Sequence, residues 1–518
     1  MNKQINNILK ALLLLATFIF SKSKLKAQTS TKPNIIFILT DDLGYGDLSS
    51  YGATKSHTPN IDALAAQGIR FTNAHATAAT CTPSRYSLMT GKYAFRKNGT
   101  GILPGDAALI VPPNRITLPN MLKKAGYATG LVGKWHLGLG ETVEKNWNAE
   151  IKPGPNEVGF DYAFYFPATA DRVPTVFLEN GKVQALDKND TIEVNYDHKV
   201  GDEPTGLEHP ELLKMQASHG HNNTIVNGIG RIGYMKGGKT ARWIDEELSF
   251  TFLSKAQQFI NNNKNHPFFL CFTTTEPHVP RMPATIFKGK SGLGFRGDAI
   301  LQLDWTVGEI TKQLNQLGIA KNTIIIFSSD NGPVLDDGYE DGAVAQQNGH
   351  TPWGVLRGGK YSTFEAGTRV PFIIKWPNQT KPQVSDALIN QVDMLASLAK
   401  FTGQTIAAAD SLDSQNQLNA WMGKDAKGRT SIIEQGGTLA IVKGNWKYIQ
   451  PSNGEALQKS TNTEMGNSKL PQLYDLSIDI GEKNNVADNH PDIVKQLASE
   501  LERVKNNKNM VIDKTKIE

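Results

Sequence analysis

Asn34-Ile-Ile-Phe-Ile-Leu39, followed at once by Thr40-Asp41-Asp42, is the stretch on which the fold turns. After Asn34 the run has no polar side chain to present to water. Short apolar runs of this kind belong to strands covered on both faces. Two more follow, Phe268–Thr274 and Thr323–Phe327. Helix-like segments lie around them: Pro59–Gln67 closed by Gly68, Pro119–Ala125 stopped by Gly126, Leu248–Asn262, and Leu303–Leu317. Ile69–His75 and Tyr127–Val132 read as further strands. The alternation predicts an α/β fold, a large and mostly parallel sheet with helices on both faces.

The 518 residues are 39% hydrophobic and 20% charged, with 47 glycines, which excludes a disordered, collagen-like or coiled-coil chain. The formal charge of +5 is local. Residues 1–27 hold Lys3, Lys10, Lys22, Lys24 and Lys26 and no acid, so the remainder is balanced and nothing argues for nucleic acid as a partner. Two cysteines cannot build a disulfide scaffold. Lys3 and Lys10 lead into the apolar run Ala11–Phe20 and a short polar stretch ending at Ala27, the pattern of a secretory signal peptide over residues 1–27. The run is too short to span a bilayer, and no other stretch approaches the length needed. We therefore expect an exported protein, periplasmic in the first instance, with no membrane span once mature.

Residues 28–405 read as the catalytic domain, with a polar, glycine-rich insertion at 180–243 laid over one face of the sheet. Residues 406–518 read as a smaller C-terminal α+β subdomain. It comprises a polar connector at Asp410–Asn419, a hairpin at Thr438–Ile449, a strand at Leu473–Leu476 and an amphipathic helix at Pro491–Lys505.

In an open α/β sheet, ligands bind at the carboxyl ends of the strands. Asp41 and Asp42 follow the first strand. Asp330 and Asn331 follow the third apolar strand, Lys134 and His136 follow Tyr127–Val132, and Glu276 and His278 follow Phe268–Thr274. Three aspartates and an asparagine offer only oxygen donors, which suit a hard divalent cation, and without one they would repel. One bound metal is expected, calcium before magnesium.

Cys81-Thr-Pro-Ser-Arg85 opens a helix running toward Met89, with Pro83 in its first turn and Gly91 near its end. Cys81 then sits at the amino end, where the dipole favours an anion, and Arg85 one turn on leans back toward it. Lys134 and His136, two apart in extended chain, would share a face as a cation beside a titratable base. Lys360 lies in the flexible Arg357-Gly-Gly-Lys360-Tyr-Ser stretch, which can approach a ligand closely. Cys271, inside an apolar strand, reads as a buried inert thiol.

Together these residues resemble the type I sulfatases of the alkaline phosphatase superfamily. The resemblance runs from Pro33 to about Ala487. It rests on Asn34–Gly46, Cys81–Arg85, Gly133-Lys-Trp-His-Leu-Gly138, Thr275-Glu-Pro-His278, Ser329-Asp-Asn-Gly332, Leu356–Pro371 and Leu473–Ala487, with no departure from the core pattern. It implies that a formylglycine-generating maturation enzyme oxidises Cys81 to formylglycine. One hydroxyl of the hydrated aldehyde would attack sulfur to give a sulfate hemiacetal, and the second would collapse it to release sulfate. By the same matching Asp41, Asp42, Asp330 and Asn331 would hold the metal together with the modified Cys81. Arg85, Lys134 and Lys360 would neutralise the sulfuryl group. His278, with Lys360, would protonate the leaving oxygen, and His136 would take the proton that triggers sulfate release.

Ala170–Pro174, His219–Thr224 and Arg231–Met235 resemble pieces of bacterial carbohydrate sulfatases, some acting on galactose-type 6-sulfates. Asp171, Arg172, His219 and His221 are the candidate contacts to sugar hydroxyls, and a sulfated polysaccharide or its oligosaccharides is the expected substrate. Two alternatives stand beside this reading. One is a phosphonate or phosphodiester hydrolase that keeps the formylglycine site; the other is a catalytically silent saccharide-binding relative.

Overall fold

The computed structural model describes residues 32–506, so the leader expected at 1–27 lies outside the described residues. Ten strands form the main sheet. In chain order they are β1 Asn34–Thr40, β2 Ile69–Phe71, β3 Ala128–Lys134, β4 Tyr162–Phe166 and β5 Leu178–Glu179. β6 Lys182–Val183, β7 Phe268–Thr273, β8 Thr323–Ser329, β9 Phe372–Lys375 and β10 Gln383–Ser385 follow. Across the sheet the order is β10-β2-β9-β8-β1-β7-β3-β4-β5-β6. The central strands β8, β1, β7, β3 and β4 are parallel, so their carboxyl ends share one edge. Antiparallel pairs through β9 and through β5 and β6 flank this centre.

The uninterrupted apolar character of β1 has a direct packing cause. Ile35, Phe37 and Leu39 enter one hydrophobic cluster and Ile36 and Ile38 enter another. The first cluster gathers residues of α2 Cys81–Thr90, α3 Leu118–Lys124 and α6 Met394–Thr402. The second gathers α1 Pro59–Ala66, α4 Leu248–Asn263 and α5 Gly294–Gln316. Helices therefore cover both faces. Cys271 of β7 is buried and free, and burial pushes its thiol up to about 12, which makes it inert.

Two expected elements differ. Ile69–His75 is not one strand: β2 ends at Phe71, and Ala74–His75 pairs instead with Ile389–Asn390. The cause is His75, whose Nδ1 lies 2.8 Å from Glu434 in a buried ionic cluster away from the main sheet. The helix expected at Leu303–Leu317 starts earlier, at Gly294. Its first turns bury Arg296, paired with Asp47, and Asp298, which accepts from Ser291, so apolar periodicity cannot reveal them. Farther along the chain, a four-stranded antiparallel sheet is built from Ser431–Gln435, Leu439–Lys443, Trp446–Ile449 and Gln472–Asp475. Leu497 and Leu501 of α7 Pro491–Asn506 pack in one cluster with its Ile433, Ile441, Tyr448 and Leu473.

Candidate active site

The shared edge of the parallel strands assembles the polar residues. β1 delivers Asp41 and Asp42, β8 delivers Asp330 and Asn331, and β3 ends on Lys134, all of them at most 1% exposed. α2 begins at Cys81, after Thr80 in extended conformation, and ends at Gly91 with φ 64°, a left-handed turn that favours glycine. Every residue of α2 is buried.

The acids and the cations interleave. Lys134 Nζ lies 2.6 Å from Asp41 Oδ2, and Lys360 Nζ lies 2.9 Å from Asp42 Oδ2 and 2.7 Å from Asp337. Arg85 donates from Nε to Asp330 Oδ2 at 2.9 Å and from Nη1 to the Lys134 carbonyl at 3.0 Å. The arginine expected to reach out for an oxyanion is thus held by Asp330. Asn331 Nδ2 donates to Asp42 Oδ1 at 2.7 Å. Asp41 Oδ1 and Asn331 Oδ1 are buried without a hydrogen-bond partner. Burial pushes Asp41 up to about 8, against the pull of Lys134 and with the repulsion of Asp330 and Asp42 added. Orphaned buried oxygens in a crowd of carboxylates are what a hard divalent cation would satisfy, so the donor set fits one. His278 also comes near: its ring nitrogen, Asp41 and Asp42 present atoms within 4.8 Å of one another.

A second group of acidic and imidazole side chains, His75, Glu365 and Glu434, is already filled by a cation of the chain. Lys447 Nζ sits at 2.9 Å from Glu365, 2.8 Å from Glu434 and 3.2 Å from Glu482, all fully buried.

Two histidines have their tautomers fixed by carbonyls. His136 Nε2 lies 2.9 Å from the Leu103 carbonyl, which can only accept, so Nε2 carries the proton and Nδ1 is bare. That bare Nδ1 is 3.2 Å from Cys81 Sγ. Burial and the cations Lys134, Arg172 and Arg85 hold His136 well below the usual imidazole range. His278 donates from Nδ1 to the Val279 carbonyl at 2.6 Å, which leaves its Nε2 bare and 3.8 Å from Asp42. Burial, Lys360 and Lys134 likewise push it well below the usual range, and Asp171 and Asp337 oppose them. Burial also raises the Cys81 thiol, against the pull of Lys134 and Lys360 and with Asp330 and Asp41 adding to the rise, so the unmodified residue is a protonated thiol and a poor nucleophile.

Cys81 lines a cavity of about 200 Å³ together with Asp171, Arg172, His219, His221, His278 and Lys360. All four candidate sugar-contact residues therefore reach the same cavity. His221 Nε2 lies 2.9 Å from Asp171, and Arg172 contacts both Asp171 oxygens at 3.0 Å. His219 is the most open of them, with its side chain 33% exposed.

The spacing argument for Lys134 and His136 needs correction. β3 ends at Lys134, and His136 has φ 56°, so the two are not on one face of an extended chain. They converge because the chain turns into the left-handed region there. Asp42 (φ 62°) and Tyr361 (φ 78°) are similarly strained at the site, which fits backbone held for function. Sequence reasoning missed Asp337, which binds Lys360 and accepts from Tyr361 at 2.8 Å. The adjacent acids Asp336-Asp337 shortly after Asn331 were the available signal. It also missed Ser460 and Thr461, which line the cavity from far along the chain.

The family model described as Sulfatase matches residues 33–404. An N-acetylgalactosamine-6-O-sulfatase of Bacteroides thetaiotaomicron is 57% identical over 480 residues, covering 92% of this chain and 94% of the relative. Human arylsulfatase A is 30% identical, over 90% of this chain and 86% of its own length. A solved structure connected with the metabolism of multiple glycosaminoglycans by Bacteroides thetaiotaomicron superposes with a TM-score of 0.91 at 56% identity. That alignment covers 92% of this chain and 100% of the solved one.

Proposed function

The chain belongs to the sulfatase family and hydrolyses sulfate esters, and from that premise we propose that its substrate is the 6-O-sulfate of N-acetylgalactosamine in glycosaminoglycan saccharides. The observation that carries the sugar is the 57% identity to an N-acetylgalactosamine-6-O-sulfatase over nearly the whole of both chains.

In this reading Cys81 is converted by a maturation enzyme to formylglycine. Asp41, Asp42, Asp330 and Asn331 would hold one divalent cation, calcium first. The hydrated aldehyde would supply the attacking hydroxyl and the cation would polarise it. The chain's own residues do the rest. His136 presents an unprotonated Nδ1 to position 81 and accepts the proton lost there. Arg85, Lys134 and Lys360 hold positive charge where the sulfuryl group develops negative charge. Asp337 and Asp42 outweigh burial and keep Lys360 protonated, so it carries a proton, tightly held, that neutral His278 lacks. Burial first, then Lys360 and Lys134, keep His278 neutral, and it joins Lys360 once an anionic ester offsets the two cations. The same reading places the enzyme outside the cytoplasm, in the periplasm, because long sulfated polymers do not enter cells intact; cell fractionation checks this.

Purified, matured protein assayed with N-acetylgalactosamine 6-sulfate, its 4-sulfate isomer, an aryl sulfate and the matched aryl phosphate tests the proposal. Sulfate release from the 6-sulfate, with little from the 4-sulfate, is expected. Faster turnover of aryl phosphate than of aryl sulfate would overturn it.

A further inference from the structure

The cavity at Cys81 is small. About 200 Å³ falls below the roughly 300–1,000 Å³ usual for a pocket that takes a whole ligand, so it suits one sulfated sugar. Beside it runs a groove of about 890 Å³. Ser460 and Thr461 line both cavities. They occupy the tip of a short hairpin whose strands, Leu457–Gln458 and Thr463–Glu464, pair antiparallel. The hairpin is thus a shared wall, and a molecule held at Cys81 would pass over it into the groove.

The groove has its own chemistry. Lys459 and Lys483 are exposed on its walls and form no ion pair among the described residues. Arg357 is fixed, bound to Glu464 at 2.8 Å with its guanidinium 4.0 Å from the centre of the Phe364 ring. Asp336, the remaining acid on the walls, accepts from Ser218 Oγ at 2.6 Å. A hydroxyl does not neutralise Asp336, so beyond the Arg357–Glu464 pair the walls carry two lysines against one aspartate, and the balance is positive. Trp353, half-buried, adds an amphipathic ring of the kind on which sugars rest.

We propose that this groove receives the sugars that follow the sulfated one in the same chain, and that these sugars carry carboxylate or sulfate groups met by Lys459 and Lys483. This rests on the saccharide sulfatase reading above and extends it. Two other large cavities, of about 830 and 640 Å³, share no residue with the Cys81 pocket. A chain that runs from the pocket into the groove in this one direction has its sulfated residue at an end.

The test compares sulfated monosaccharide with an acidic tetrasaccharide bearing the same sulfated sugar at one end, in wild type and in the double variant Lys459→Ala/Lys483→Ala. Wild type should turn over the tetrasaccharide with a kcat/KM about tenfold higher than the monosaccharide. The variant should lose most of that gain and keep its monosaccharide rate. Two exposed charge contacts of up to about 1 kcal/mol each set that scale, at about 1.4 kcal/mol per tenfold. The gain should also shrink with added salt. An unchanged length preference in the variant would overturn the proposal, as would equal turnover of substrates sulfated inside the chain. Titration of both saccharides into Cys81→Ser protein separates this from the activity itself. Lack of monosaccharide hydrolysis would sink the activity reading, whereas equal tetrasaccharide affinity with and without the two lysines would sink the groove.

Discussion

Cys81 Sγ lies 3.2 Å from His136 Nδ1, on the side of the imidazole that carries no proton. The Leu103 carbonyl, by accepting from Nε2, decides which nitrogen faces position 81. A base oriented in this way typically contributes about 10²–10⁴-fold. His136→Ala should lower kcat by that factor and change KM little. Peptide mass spectrometry should find the same state at position 81 as in wild type. A full rate in the variant would remove His136 from the mechanism.

Removal of the cation should abolish turnover and weaken the fold together, because Asp41 Oδ1 and Asn331 Oδ1 are left without partners. Chelator-treated protein should regain activity with calcium. A ligand at a hundredfold its Kd stabilises by about 2.7 kcal/mol, which thermal melting would read as a higher Tm. Asp41→Asn should blunt that rise. Undiminished activity in excess chelator would contradict the cation site.

Lys447 faces three buried carboxylates, Glu365, Glu434 and Glu482, with Arg369 the second cation, on Glu365. Burial and the neighbouring acids push Glu482 up to about 8, against the pull of Lys447. The folded state therefore binds a proton that the unfolded chain gives up near pH 4.3. Its contribution to stability is complete below that pH and is lost as the pH rises through about 8. The limiting slope is about 1.4 kcal/mol per pH unit. Glu482→Gln should melt with less pH dependence between 5 and 9 and gain on wild type toward pH 9. Parallel curves for the two proteins would refute the shift.

His219 is the open member of the sugar-facing set, and its ring stands 5.9 Å from that of His221. His219→Ala should raise KM for the sulfated saccharide several-fold and leave an aryl sulfate unaffected, since an aryl ring has no hydroxyl groups for the imidazole to bind. Identical changes on both substrates would assign His219 to the fold and not to recognition.

Gly133, the last residue but one of β3, has φ 116°, and a Cβ there would stand 1.8 Å from the Thr273 carbonyl oxygen of β7. Gly133→Ala combines strain with a clash between neighbouring strands. A loss of roughly 1–3 kcal/mol from the backbone conformation alone is expected, with more from the clash. A markedly lower Tm would show it, together with reduced activity, because Lys134 is the next residue.

The apolar runs of β1, β7 and β8 were readable because a strand buried on both faces has a local signature. Their polar successors Asp41, Asp42, Asp330 and Asn331 were readable because a parallel sheet sends strand ends to one edge. The split at Thr72–Asn73, the early start of α5 and the Lys447 cluster were not. Each depends on a polar or charged side chain finding a buried partner far away in sequence, as His75 finds Glu434 and Arg296 finds Asp47.

The amino-acid order by itself determined the layered α/β architecture and marked Cys81 and the charged groups around it as the candidate site, because those follow from short-range pattern and residue chemistry. Only the tertiary structure decided how they are used. It turned the chain at His136, bound Arg85 to Asp330, gave Lys360 the partner Asp337, and carried Ser460 and Thr461 to the rim. Such contacts join backbone carbonyls and side chains across long loops, and no local pattern specifies them.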